Sequence, residues 1–267
     1  MKTRRTFLLA ALVVGGVACE DDAGPILAPT PPIAFVRYVH IVPDTSSMDW
    51  RPIDAVENSP EALNLQFRAN TPYRAMGAGA RRLRVFPTST NINVTSQIVI
   101  DTTITFTANT YYTLIHIGLA RSGQTPADRI WVIEDAIPAT IASNQVAVRV
   151  INAGVGLGAV DVERATATAG PYTAHATNVA YGVAGTYSLV PTGALVMRAN
   201  TAGTTTILAA ASTAPAGAAA GGGLSAAGGS TIGGSAMTAI VVPRSVAGSA
   251  AANFTTPGII YLVDKAP

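Results

Sequence analysis

Along most of the chain, hydrophobic positions recur with a period of two. In ARRLRVF, from Ala80, Leu83 and Val85 alternate with Arg82 and Arg84. In IVIDTTITF, Ile98, Ile100, Ile104 and Phe106 all fall on even positions. This alternation puts one face of a strand against a core and the other in water. YYTLIHIGL, from Tyr111, is apolar enough throughout to predict a central strand. Turn chemistry recurs at short intervals: Pro43-Asp44, Gly77-Ala78-Gly79, Ala108-Asn109 and Gly170-Pro171. The pattern predicts an all-β chain of immunoglobulin-like antiparallel β-sandwiches. One helical turn is predicted at Ser59–Leu63, with Ser59 as cap and Pro60 at the first helical position.

The pattern also repeats. FVRYVHIVPDTSSMDW begins at Phe35 and VAVRVINAGVGLGAVDV at Val146; both run strand, turn, then an acid before a hydrophobe, Asp49-Trp50 and Asp161-Val162. ANTPYRAMGAGARRLRVFP at Ala69 matches ATNVAYGVAGTYSLVPTG at Ala176, pairing Tyr73 with Tyr181. RIWVIEDA at Arg129 matches IIYLVDKA at Ile259, so Glu134-Asp135 and Asp264 mark a shared strand end. Three matches in one order predict two homologous domains, 35–140 and 145–267. The second differs at 209–236, a run of Ala, Gly, Ser and Thr without charge. It is expected to be a long mobile loop joining two adjacent strands, either a flap or adhesive loop or a tolerated expansion.

The N-terminus has a different character. Arg4 and Arg5 precede an apolar run, Phe7 to Val17, of signal-peptide length and too short to span a bilayer. Small residues then lead to Cys19, the only cysteine in the chain. The segment resembles a bacterial lipoprotein signal. The resemblance implies that residues 1–18 are removed and that Cys19 carries lipid, although Gly16 stands where that family usually has Leu. An ordinary secretory leader with an incidental cysteine is the alternative. Thr3-Arg4-Arg5-Thr6-Phe7-Leu8 also resembles the twin-arginine export motif, which leaves the export route open. Residues 19–34, with four prolines from Pro25 on, form a semi-extended linker.

Composition narrows the function classes. The chain has 267 residues, 49% of them hydrophobic and only 12% charged. Its formal net charge is +2, but with Lys2, Arg4 and Arg5 set aside, 14 basic residues face 15 acidic ones. No basic field remains to hold nucleic acid. One cysteine makes no intramolecular disulfide and no cysteine-based metal site.

VRYVHIVPDTSSMDW, TPYRAMGAGARRLRVFP and TYYTLIHIG together resemble the domain of unknown function 4397 family. The second copy keeps Val148-Arg149-Val150 but has Asn152 in place of His40 and lacks the Pro-Asp turn. The resemblance implies β-sandwich units, often in tandem in envelope proteins and lipoproteins. It brings no catalytic residues.

Candidate chemistry is sparse. His40, Asp44 and Asp49 would form a polar cluster if they met at one end of a sandwich. Arg68, Arg74, Arg81, Arg82 and Arg84 give the first copy a basic face suited to an anionic polysaccharide or lipid head groups, unless those arginines pair with neighbouring acids. Nucleophile-elbow, zinc-helix, phosphate-loop and dinucleotide motifs are absent from the sequence. The expectation is a non-enzymatic lipoprotein of the bacterial envelope without cofactor or metal. It would be anchored to the membrane through Cys19, on the outer face of the cytoplasmic membrane or at the outer membrane. Its partner would be an envelope protein or polysaccharide. The competing expectation is a periplasmic module that binds an anionic glycan or a metal through His40, Asp44, Asp49, Arg82 and Arg84.

Overall fold

The computed structural model describes residues 31–54 and 61–267. Arg4, Arg5, Cys19 and most of the linker lie outside those residues, as do Ser59 and Pro60. Pro32–Pro267 form one compact unit.

The first repeat contains β1 (Ile33–His40), β2 (Met48–Pro52), β3 (Ala62–Leu65), β4 (Arg74–Gly77), β5 (Gly79–Pro87), β6 (Ile100–Phe106), β7 (Tyr111–Ile117) and β8 (Arg129–Glu134), with one helical turn, α1 (Ile92–Thr95). The second contains β9 (Gln145–Asn152), β10 (Val160–Ala165), β11 (Thr173–Val179), β12 (Val183–Ala184), β13 (Ser188–Pro191), β14 (Val196–Thr201), β15 (Ile207–Thr213), β16 (Ala236–Val242) and β17 (Gly258–Lys265). The first repeat has sheets β4-β1-β7-β8 and β3-β2-β5-β6. The second has β12-β9-β16-β17, with β13 also on β9, and β11-β10-β14-β15. Strand for strand the second arrangement reproduces the first, with β12 and β13 together in the place of β4.

The all-β sandwich expectation describes this architecture, with one refinement. The pairs β1–β7 and β9–β16 are parallel, so each sandwich carries one parallel ladder in an otherwise antiparallel frame. The helical turn expected at Ser59–Leu63 is not formed at its C-terminal end, because Ala62–Leu65 pairs with β2 as an edge strand. The helical turn that does form is capped by the Asn91 side chain, which accepts from the Asn93 N–H.

Three apolar clusters explain the layering. Val36, Tyr38 and Leu114 meet Trp50, Leu83 and Val85 between the two sheets of the first repeat. Val146, Val148 and Met237 meet Val160, Val162 and Met197 in the second. The third cluster belongs to neither sandwich alone. Val39, Ile41, Ile115 and Ile117 of the first repeat pack on Ile151, Ile240, Val242 and Leu262 of the second. The sheets containing β1 and β9 therefore lie face to face, giving four layers. This explains the continuous apolar character of YYTLIHIGL. Even positions Tyr112 and Leu114 fill the first sandwich, while odd positions Ile115 and Ile117 fill the junction.

The Ala/Gly-rich segment departs from expectation. Its first residues belong to β15 in an outer sheet, and it leads to β16 in an inner sheet, so it crosses between layers rather than joining adjacent strands. It is also laced back on itself and onto the sandwich. Ala218 and Ala227 exchange backbone hydrogen bonds, Ser230 and Thr231 donate to Pro215 and Ala216, and Gly193 donates to Ser230. Its glycines permit close backbone contact. A Cβ at Gly233 would lie 1.7 Å from the Ser143 carbonyl oxygen, and one at Gly229 2.2 Å from the Gly217 nitrogen.

Candidate functional site

At the centre of the junction each inner sheet presents one arginine to the other repeat. Arg37 on β1 and Arg149 on β9 are 2% and 3% exposed. A guanidinium so buried needs a carboxylate and further acceptors. Arg37 Nη2 donates to Asp264 Oδ1 at 2.5 Å, and its Nε donates to Thr113 Oγ1 at 2.8 Å. Thr113 donates in turn to Asp135 Oδ2 at 2.6 Å. The second repeat returns the same contacts: Arg149 Nη2 donates to Asp135 Oδ1, and its Nε to Thr238 Oγ1 at 2.8 Å. Thr238 then donates to Asp264 Oδ2 at 2.7 Å. The six side chains close a ring in which each repeat's arginine holds the other repeat's aspartate.

Two tyrosines complete it. Tyr73 donates to Asp135 at 2.7 Å and Tyr187 to Asp264 at 2.8 Å. Each ring lies under its own repeat's arginine, at 4.4 Å for Arg37 and 4.9 Å for Arg149. Burial pushes both phenols well above the ordinary tyrosine range. Burial also works against the Arg149 charge, but Asp135 and Asp264 outweigh it and raise its pKa. The counterpart of Tyr73 is thus Tyr187, not Tyr181, because a Tyr-Ser-Leu-Val strand, not the Gly turn, occupies the position of β4. Asp135 and Asp264 are the shared strand end, and their role is to bind the other repeat.

The residues nominated from sequence are placed separately. His40 ends β1 in the inner sheet, and its Nε2 lies 3.3 Å from the Ser46 carbonyl. Asp44 accepts from the Ala120 and Arg121 N–H groups at 2.9 and 3.1 Å, which fixes the loop after β7. Asp49 lies on β2 in the outer sheet and accepts from the Asn64 N–H and Thr88 Oγ1. Burial raises its pKa, but these bonds and Arg51 outweigh that and lower it. Asp161 does the same in the second repeat, accepting from the Asn178 N–H at 2.7 Å. Asn64 and Asn178 both have left-handed backbones, φ 53° and 52°. The repeated acid-hydrophobe pair is therefore a clamp on a left-handed asparagine in the edge strand. The structure does not bring His40, Asp44 and Asp49 together, because β1 and β2 belong to different sheets.

Arg82 and Arg84 share one acid. Arg82 binds Asp101 through Nε at 2.7 Å and Nη2 at 2.6 Å, and Arg84 reaches the same carboxylate at 2.9 Å. The Arg82 hydrogen bond leads the causes that lower the Asp101 pKa to about 2. Arg81 folds onto the Gly77, Ala78 and Ala80 carbonyls and Arg74 onto that of Glu61. Arg68 leaves this face altogether and donates to the Pro243 and Thr256 carbonyls of the second repeat.

His40 and His116 face each other at a ring distance of 5.2 Å, beside Trp50. The outer nitrogen of His116 lies 2.9 Å from Asp128 Oδ2. Burial, reinforced by His116, holds the His40 pKa well below the usual histidine value. Among the described residues, no three His, Cys, Asp or Glu side chains are grouped to hold a metal ion.

One large cleft opens beside the junction, with a volume of about 1210 Å³. It lies between the loop after β7 and the β16–β17 connection at 243–257. Sequence reading missed this connection, since nothing in PRSVAGSAAANFTTP marks it as a wall between repeats. The arginines in each VRV/VRY run were the legible sign of the junction: a charge inside an otherwise apolar strand needs a buried partner.

The fold and junction define a fused pair of β-sandwich repeats whose buried charges are spent on each other. Residues 34–163, from β1 into β10, match the family model described as domain of unknown function (DUF4397). The match covers the first repeat and runs through β9 into β10 of the second. No curated protein matches the chain.

Arg149→Met should destabilise the fold by about 3–5 kcal/mol, because it leaves Asp135 buried without its cation. In a denaturant-based double-mutant cycle, Arg149→Met with Asp135→Asn should cost well under the sum of the singles. Additivity within about 0.5 kcal/mol would show that the pair is not coupled. A second prediction concerns pH. The folded His40 resists protonation while the unfolded one accepts a proton below 6.5. Its stabilising contribution is therefore full above that pH and falls as pH drops below it, with a slope of up to about 1.4 kcal/mol per unit. His40→Asn, which installs the residue found at Asn152, should flatten the acid limb of stability against pH; an unchanged slope would assign that limb to other groups.

Proposed function

We propose that the chain is a lipid-anchored protein of the bacterial cell envelope with a non-catalytic binding or structural role. One observation carries this reading: the apolar run Phe7–Val17 leads through small residues to Cys19, the only cysteine, and then into a proline-rich spacer. A lipid on Cys19 would hold the compact unit at a membrane surface, with the spacer as tether. The anchor would sit on the outer face of the cytoplasmic membrane or at the outer membrane. The non-catalytic part is supported by the use of the buried ionisable groups. Arg37, Arg149, Asp135 and Asp264 hold the repeats together, and Asp44 and Asp49 hold loops and edge strands. A binding role is favoured by the cleft beside the junction, not by the Arg82–Arg84 face, whose charges are shared with Asp101.

Cys19→Ser should move the chain from the membrane fraction to the soluble fraction and abolish labelling by an alkyne-tagged fatty acid. Membrane retention without labelling would contradict the anchor.

A further inference from the structure

The cleft carries chemistry that the junction does not use. Pro43, Leu119 and Pro126 of the first repeat face Leu157, Ile207 and Phe254 of the second. Ile207 and Phe254 are 53% and 37% exposed, so large apolar side chains remain open to solvent at this rim. The cleft is built rather than left over. Arg68 of the first repeat ties down both ends of the 243–257 connection and lies 4.2 Å over the Phe254 ring. Burial lowers the Arg68 pKa to about 10, so it stays charged at neutral pH. Val246 donates to the Pro43 carbonyl at 2.9 Å and closes the floor between repeats. The lining is apolar in the larger part, with hydroxyl and amide side chains such as Thr125, Ser245 and Asn253 among it, and a preformed concavity of mixed lining is a usual form of small-molecule site.

Its charge pattern selects the ligand. Among the described residues, Arg244 is the one ionisable side chain in the lining, and no carboxylate lines the cleft. Among the described residues Arg244 forms no ion pair. The apolar side chains Leu119, Leu157, Ile207 and Phe254, with one cation outside any ion pair beside them, complement a molecule with an apolar body and one negative head. We propose that the cleft binds a long-chain fatty acid, its chain along the apolar walls and its carboxylate on Arg244. This rests on the cleft alone and is independent of the anchor at Cys19. The cleft exists only where the two repeats meet, which gives the fused arrangement a use that one sandwich lacks.

The test uses the exported Cys19→Ser chain and cis-parinaric acid, a fluorescent long-chain fatty acid, below its micelle concentration. Saturable uptake of one equivalent, displaced by palmitic acid, is expected. Each methylene removed from a competitor should weaken it by about fourfold, the factor corresponding to ~0.8 kcal/mol per buried methylene. Methyl palmitate should compete about tenfold less well than palmitic acid, and Arg244→Ala should weaken uptake by a similar factor. Ile207→Glu, at an exposed rim position, should reduce uptake further without unfolding the chain. Absence of saturable uptake would overturn the proposal. So would uptake unaffected by Arg244→Ala and Ile207→Glu, or a methyl ester that competes as well as the acid.

Discussion

Two arginines buried in the middle of apolar strands set the terms for this fold. Among the described residues, neither Arg37 nor Arg149 is neutralised by a carboxylate of its own repeat. Each reaches across to the other's strand end, and threonine hydroxyls join the two pairs into a closed ring. Two cations face two anions, so the ring is neutral overall. Every member has a directed partner, which is the condition under which buried charge is tolerable. Desolvation offsets much of the attraction in such pairs. The free energy of joining the repeats therefore comes mainly from the apolar contacts around the ring, and the ring fixes their register. A slip along β1 or β9 would leave a guanidinium against isoleucine.

Much of the remaining architecture follows from that constraint. Strands β1, β7, β9 and β16 must bury both faces, so they carry hydrophobes on consecutive positions. The outer sheets keep one wet face and alternate. At the far end the inner sheets end in loops of unequal length, Gly118–Asp128 and 243–257, and the cleft lies between them.

The outer-sheet strands were legible in the sequence because one-sided burial writes itself as alternation: Leu83 and Val85 face in, and Arg82 and Arg84 face out. The repeat was legible because both copies keep the same hydrogen-bonding devices, the aspartate before Trp50 or Val162 and the aspartate ending β8 or β17. The junction was harder to see. A strand buried by a second sandwich has the same apolar run as a central strand buried by its own, and only the arginine inside it marks the difference. Tyr187 was missed because its strand lies after an extra turn that displaces it from the position of Tyr73. The Ala/Gly-rich segment has the composition of a tether, but Gly229 and Gly233 are there because backbone passes where a Cβ would stand. Grouping His40, Asp44 and Asp49 failed for a general reason: residues close along a hairpin-free connection enter different sheets, and each is committed to its nearest backbone or hydroxyl partner.

If the reciprocal ring and its apolar surround join the two repeats into one structure, the chain must unfold as one. Differential scanning calorimetry tests this most directly. A single transition is predicted, with calorimetric and van't Hoff enthalpies in a ratio near one. Two resolved transitions, each with the enthalpy of one sandwich, would contradict the account and make the repeats independent neighbours.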